Sequence, residues 1–204
     1  MTKFLCTLSM LLSLSALADF SPYMGEPPMV HLTSAQQADV AAGKLVFLIE
    51  NTKGEFNEGS VAFRVNAKPE KVWKVLADFS QYADWSYRVG DAKVYKQIGN
   101  DTIFVDFTTD RLSKHYYVMN KFPMKDWSTW ATDHSRSNDC VLDTVGFWRV
   151  QEAPGNPNAS DVIQYGKLQL TSLCANGVFG IGAFNARDMA NTIHRNLKAR
   201  AEAL

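Results

Sequence analysis

The chain has little cysteine, no surplus of either charge, and no run of basic residues. Three cysteines in 204 residues are too few for a disulfide-built fold. Twenty-one basic residues balance 21 acidic ones, and no Lys/Arg cluster stands out. Nucleic acid and anionic membrane surfaces are therefore poor candidates as electrostatic partners. Past the N-terminus, no segment approaches the roughly 18 apolar residues that span a bilayer, so no integral membrane segment is expected, which leaves room for transient membrane contact. The motifs H-E-x-x-H, C-x-x-C, G-x-S-x-G and the Walker loop are all missing. His31, His134 and His194 share no metal-ligand spacing with each other or with the cysteines. No metal, no cofactor and no catalytic residue is assigned on these grounds.

The N-terminus reads as an export signal. Lys3 supplies a short positive region, residues 4–17 are apolar with small side chains, and Ala16-Leu17-Ala18 forms an A-x-A cleavage site. Residues 1–18 are expected to be removed, leaving a periplasmic or secreted protein of net charge −1. The remaining chain suits one domain. Aromatic residues make up 12% of the sequence, which fits either a β-rich core or a lined pocket.

Along the mature chain, residues 19–32 hold three prolines and read as an extended arm. Thr33 or Ser34 caps a short helix that Gly43 ends. Residues 44–50 form an apolar strand, and Gly54 and Gly59 flank a turn before a strand over 60–65. Further strands are expected over 92–98, 102–109, 112–122 and 127–134. A hairpin follows, with strands over 141–150 and 162–173 around the turn-rich residues 153–160. Residues 176–182 are a glycine-rich loop that lacks the Lys-Ser/Thr of a phosphate loop, and reads as an entry, or a gate, to a final helix over 184–203. That helix carries Ala186, Met189, Ala190, Ile193 and Leu197 along one side.

Two cysteines survive processing. If the hairpin is centred near residue 157, Cys140 faces Cys174 across the ladder, so a structural disulfide is expected. In the same register Trp148 lies opposite Gly166. Leu142, Thr144, Gly146, Trp148 and Val150 form the more apolar face, assigned to the concave side; Asp143, Phe147 and Arg149 form the other, with Asp143 and Arg149 as surface charges.

The densest signal lies in residues 66–85, NAKPEKVWKVLADFSQYADW. Pro69 suits a first helical turn, where its missing N–H is no loss. Glu70 in that turn suits the helix dipole. Val72, Val75, Leu76 and Phe79 recur at helical spacing. Upstream, Val61, Phe63 and Val65 alternate as in a half-buried strand. The pattern Ala67, Pro69, Val72, Trp73, Leu76, Asp78, Phe79, Tyr82, Trp85 resembles the opening of the START-like (SRPBCC) superfamily, also called the Bet v 1-like or polyketide cyclase and lipid transport families. Over residues 58–204 the chain is similar to exported bacterial members, including coenzyme Q-binding START-type proteins.

The resemblance implies an α+β fold, with a curved antiparallel β-sheet wrapped around a long C-terminal helix in a helix-grip. Residues 19–57 would precede it as an arm, short helix and strand. It also implies a cavity between sheet and helix that holds an apolar small-molecule ligand: a lipid, a quinone or a sterol-like compound. The lining candidates are Trp85, Phe104, Tyr117, Trp130, Trp148, Phe179, Phe184, Met189 and Ile193; Tyr82 joins Trp85 as a candidate for the cavity mouth. Carriage of such a ligand requires no catalytic group. The rival reading is a cyclase- or dehydratase-type enzyme, for which His115, Asp106 and Tyr116 come first for test, although Asp106 and His115 are expected on a solvent face. A third is a non-catalytic envelope interaction protein with a filled interior.

Overall fold

The computed structural model describes residues 20–53, 55–123, 125–177 and 186–204; the expected leader (residues 1–18), Phe179 and Phe184 lie outside them. A short helix α1 (Ser34–Ala41) opens with Thr33 in a capping box with Gln36, and Gly43 follows its end at φ 79°. Strands β1 (Val46–Lys53) and β2 (Phe56–Val65) form a hairpin. Helix α2 (Pro69–Ala77) starts with Pro69 in its first turn and buries Val72, Val75 and Leu76. Phe79 falls in the 3-10 turn that follows, and a single-turn helix α3 (Tyr82–Trp85) buries Trp85.

Six further strands run as a meander: β3 (Val89–Ile98), β4 (Thr102–Thr109), β5 (His115–Lys121), β6 (Trp127–Thr132), β7 (Val141–Ala153) and β8 (Asn156–Leu170). A short helix α4 (Ser172–Gly177) and the long α5 (Ala186–Ala203) complete the chain. The eight strands form one antiparallel sheet in the order β1-β2-β8-β7-β6-β5-β4-β3. Helix α5 lays Ala190, Ile193, Leu197 and Ala201 on the concave face, against Phe63, Val65, Trp148, Val150 and Val162, with α2 packed alongside. The fold is therefore α+β, with the sheet curled around the C-terminal helix. No helix among the described residues is long and apolar enough to cross a membrane.

The structure corrects several details of the hairpin. The reversal occurs at Pro154-Gly155, with Gly155 at φ 73°, and Ala153 pairs with Asn156. The turn is thus not centred at residue 157, and the pairing slides by two residues. Gly146, not Trp148, faces Gly166, and Trp148 faces Gln164. A slide of two preserves which face each side chain takes, because strand side chains alternate with period two. A bulge between Val141 and Asp143 breaks that alternation locally and leaves Leu142 43% exposed rather than in the concave face.

Cys140 and Cys174 are bonded, with Cα atoms 5.4 Å apart, but not as ladder partners. The ladder ends where Val141 meets Leu170, and α4 folds Cys174 back. The Thr171 amide donates to the Cys140 carbonyl at 3.0 Å and holds that return.

Arg149 is not a surface charge. It is 1% exposed, because the N-terminal arm crosses the outer face of the sheet above it. Its guanidinium donates to Glu26 (2.9 Å), to the Pro27 carbonyl (2.5 Å) and to Asp126 (3.3 Å). Beside it Tyr23 meets Phe147 edge-on, and Phe147 stacks on Tyr165.

Candidate functional site

Between sheet and helix lies a cavity of about 200 Å³. Its floor follows from glycine placement. Gly59 on β2, Gly166 on β8 and Gly146 on β7 pair in one row across the concave face, next to Trp130 on β6. Gly59 was expected in a turn; it lies inside β2, which begins at Phe56. A side chain at Gly146 would overlap the Trp130 indole, and a Cβ at Gly166 would come within 3.1 Å of it. The ring thus lies over two glycines. Its Nε1 donates to Thr144 Oγ1 at 3.2 Å, and Thr144 in turn donates to the Lys167 carbonyl at 2.9 Å. Above Gly59 the nearest atom to such a Cβ is the Ile49 carbonyl oxygen at 4.0 Å, so that end of the row stays open.

The opposite wall comes from the helices. Tyr82, Trp85, Met189, Ala190 and Ile193 line it. The Tyr82 hydroxyl donates to the Leu76 carbonyl at 2.7 Å, and Asn196 donates to the Trp85 carbonyl at 3.1 Å, which ties α5 to α3. Tyr116, Val118 and Asn120 of β5 and Phe107 of β4 close one side. Burial holds the phenols of Tyr82 and Tyr116 well above their ordinary pKa, so both stay neutral. The disulfide, with Val141, Leu170 and Ala175, packs against Tyr87, Tyr116, Leu168 and Met189 at the cavity's end.

Of the lining candidates, Trp85, Trp130, Trp148, Met189 and Ile193 face this cavity. Phe104 and Tyr117 do not. Phe107 on β4 and Tyr116 and Val118 on β5 take the concave side, so alternation sends Phe104 and Tyr117 outward. There both pack on Tyr95, and Arg136 lies over the Tyr95 and Tyr117 rings. The same alternation separates the three residues weighed for chemistry. His115 Nδ1 lies 2.9 Å from Asp106 on the outer face, with Asp106 half-buried rather than free in solvent. Tyr116 stacks on Phe107 inside. Among the described residues no three metal-binding side chains converge.

Asn57, Gly59, Tyr116 and Thr144 also line the cavity; the sequence placed Thr144 on the concave face and offered Tyr116 for chemistry without counting either as lining, and it missed Asn57 and Gly59 altogether. The signal for those last two was present. Asn57 and Gly59 continue the alternation of Val61, Phe63 and Val65 back to the start of β2, but two glycines flanking that segment read as turn residues.

No protein-family model matches the chain, and no curated protein matches it in sequence. Solved structures do match in shape. A START superfamily protein from Mycobacterium smegmatis aligns with TM-score 0.54 at 12% identity, over 72% of this chain and 97% of that one. A STAR-related lipid transfer protein from Xanthomonas axonopodis aligns with TM-score 0.52 at 11% identity, over 76% and 98%. The di-domain ARO/CYC BexL aligns with TM-score 0.52 at 12% identity, over 74% of this chain and half of that one. The chain has a START-like fold, whose concave side here encloses a cavity suited to an apolar ligand.

Proposed function

We infer that this protein binds and carries an apolar small molecule (a lipid, a quinone or a sterol-like compound) outside the cytoplasm. The observation that carries the reading is the cavity above the Gly59–Gly166–Gly146 row, walled by Trp85, Trp130, Trp148, Met189 and Ile193. An apolar ligand seated there gains roughly 25 cal/mol for each Å² it removes from water, before ordering costs. The lipid transfer protein that shares this fold supports the ligand class. The leader-like residues 1–18 and the Cys140–Cys174 bond support an oxidising, periplasmic setting.

Native mass spectrometry and lipid extraction of protein purified from its own periplasm test the reading. A stoichiometric lipid or quinone, lost in a Gly59→Leu variant that still folds, is the expected result. Repeated absence of any ligand sinks the reading and favours the envelope-interaction role. N-terminal sequencing should start at Asp19.

The rival reading, a cyclase- or dehydratase-type enzyme, draws on the di-domain ARO/CYC that shares the fold and on Tyr116 at the cavity wall. Carriage is favoured over it because His115 and Asp106 pair on the far side of the sheet from the cavity. An unchanged phenotype after His115→Ala and Asp106→Asn is the expected outcome.

A further inference from the structure

The carrier reading leaves open what the ligand's end group is, and one residue on the cavity wall bears on that. Asn57 lines the cavity, is 3% exposed, and neither its Nδ2 nor its Oδ1 has a hydrogen-bond partner among the described residues. A buried carboxamide left wholly unmet is unusual, since nearly all such groups are satisfied. Its neighbours offer no compensation. Thr144, next but one in the same row of paired residues, is already committed to Trp130 and to the Lys167 carbonyl. Asn120 donates to the Val118 carbonyl. On the helix side a second group is in the same state: Trp85, 1% exposed, lines the same cavity, and its indole N–H has no acceptor among the described residues.

Asn57 thus presents its N–H donors and its carbonyl acceptor inside a mainly apolar chamber, and Trp85 adds a donor. The acidic side chain nearest to Asn57 in sequence does not aim in. Glu58 takes the next position on β2, hence the outer face, where its carboxylate accepts from the Tyr165 hydroxyl and from Asn51. A carboxylate or phosphate entering the cavity would meet the Asn57 carbonyl oxygen, while Lys167, whose strand position borders the cavity, alternates to the outer face between Gly166 and Leu168. A ketone or ether would satisfy only donors. A hydroxyl both accepts from one N–H and donates to the carbonyl oxygen, so of these groups it alone engages both ends of the carboxamide.

Resting on the carrier reading, we propose that the ligand is an apolar molecule ending in a neutral hydroxyl, and that Asn57 recognises that hydroxyl. Asn57 is then a specificity residue that leaves the empty protein less stable than it need be. A polar group held unpaired for a ligand discriminates strongly against analogues lacking the matching group.

The test uses the exported, disulfide-bonded protein and three probes of one chain length: 1-octanol, octyl methyl ether, and octanoate at pH 8. Trp85, Trp130 and Trp148 line the cavity, so intrinsic fluorescence reports binding. Wild type should bind the alcohol about tenfold tighter than the ether or the carboxylate. Asn57→Leu should erase that preference while still binding the ether, and should melt at a higher temperature than ligand-free wild type. Asn57→Ala, which cannot overfill the site, serves if the leucine variant fails to fold. Equal binding of all three probes by wild type overturns the hydroxyl inference and leaves the carrier reading standing. A preference that survives removal of the carboxamide, or a lower melting temperature for both variants, also overturns it. If folded wild type binds none of the three, the carrier reading falls with it.

Discussion

The Trp130 indole occupies the space that a side chain at Gly146 would need. The two residues are paired across β6 and β7, so the ring lies back over its own partner and on to Gly166 of the next strand. This packing is what lets a sheet floor carry a large aromatic without filling the cavity. Gly146→Ala should force the ring and the neighbouring Tyr165 carbonyl apart. The expected loss is about 2 kcal/mol, typical of overpacking, read as a lower urea midpoint with an unchanged slope.

Gly59 occupies the open end of the same row, and the result there should be the opposite. A Cβ at that position meets nothing closer than 4.0 Å. Gly59→Leu should keep or raise the melting temperature, since glycine weakens a strand interior, while abolishing ligand uptake. A loss of uptake accompanied by unfolding would remove the cavity-blocking interpretation.

The arm depends on Arg149. Arg149→Met should release residues 20–32 from the outer face, because Glu26, the Pro27 carbonyl and Asp126 lose their common donor. A loss of about 2–3 kcal/mol is expected for the charge-assisted bonds. Limited proteolysis should show new cleavage within the arm and none within β7.

Acid should weaken the fold through His194. Its ring packs edge-on against Phe63, and its Nε2 is buried without a hydrogen-bond partner among the described residues. Burial, reinforced by Lys198 and opposed by Glu202, lowers its pKa below the ordinary value of 6.5. The unfolded chain therefore binds the proton more readily. Stability is fully present above about pH 6.5 and is lost as pH falls through the lowered folded value. Urea unfolding of wild type against His194→Phe across pH 5 to 8 checks this; the variant should be flatter in that window.

Reduction of Cys140–Cys174 should destabilise the protein by about 3–4 kcal/mol, as expected for a bond across 34 residues of chain. Because the pair packs against Tyr87, Tyr116 and Met189 at the cavity's end, ligand binding should weaken in the same samples. Thermal melts and probe titrations with and without dithiothreitol measure both.

Much of the scaffold is legible along the chain because local periodicity dictates it. The alternation of Val61, Phe63 and Val65, the first-turn Pro69, and the spacing of Val72, Val75 and Leu76 led directly to β2 and α2. The even parity of the β7–β8 hairpin meant that Trp148 could be placed on the concave face even with the register two residues out. The cavity was less legible. A run of residues does not say which strands will be neighbours, so the meeting of Gly59, Gly166 and Gly146 is invisible until β2 pairs with β8 and β8 with β7.

By itself, then, the sequence determined most of the elements, the concave face of the β7–β8 hairpin, the apolar helix stripe and the pair of cysteines, all properties of spacing within one segment. Only the tertiary structure decided what those faces enclose. Long-range strand pairing put the three glycines in a row, two of them under Trp130, sent Phe104 and Tyr117 outward while Tyr116 turned in, and folded the arm over Arg149. It also left the Asn57 carboxamide unpaired inside the chamber. Burial and partnership depend on which distant segments pack together, and for Asn57 those segments supply a cavity and no hydrogen-bond partner.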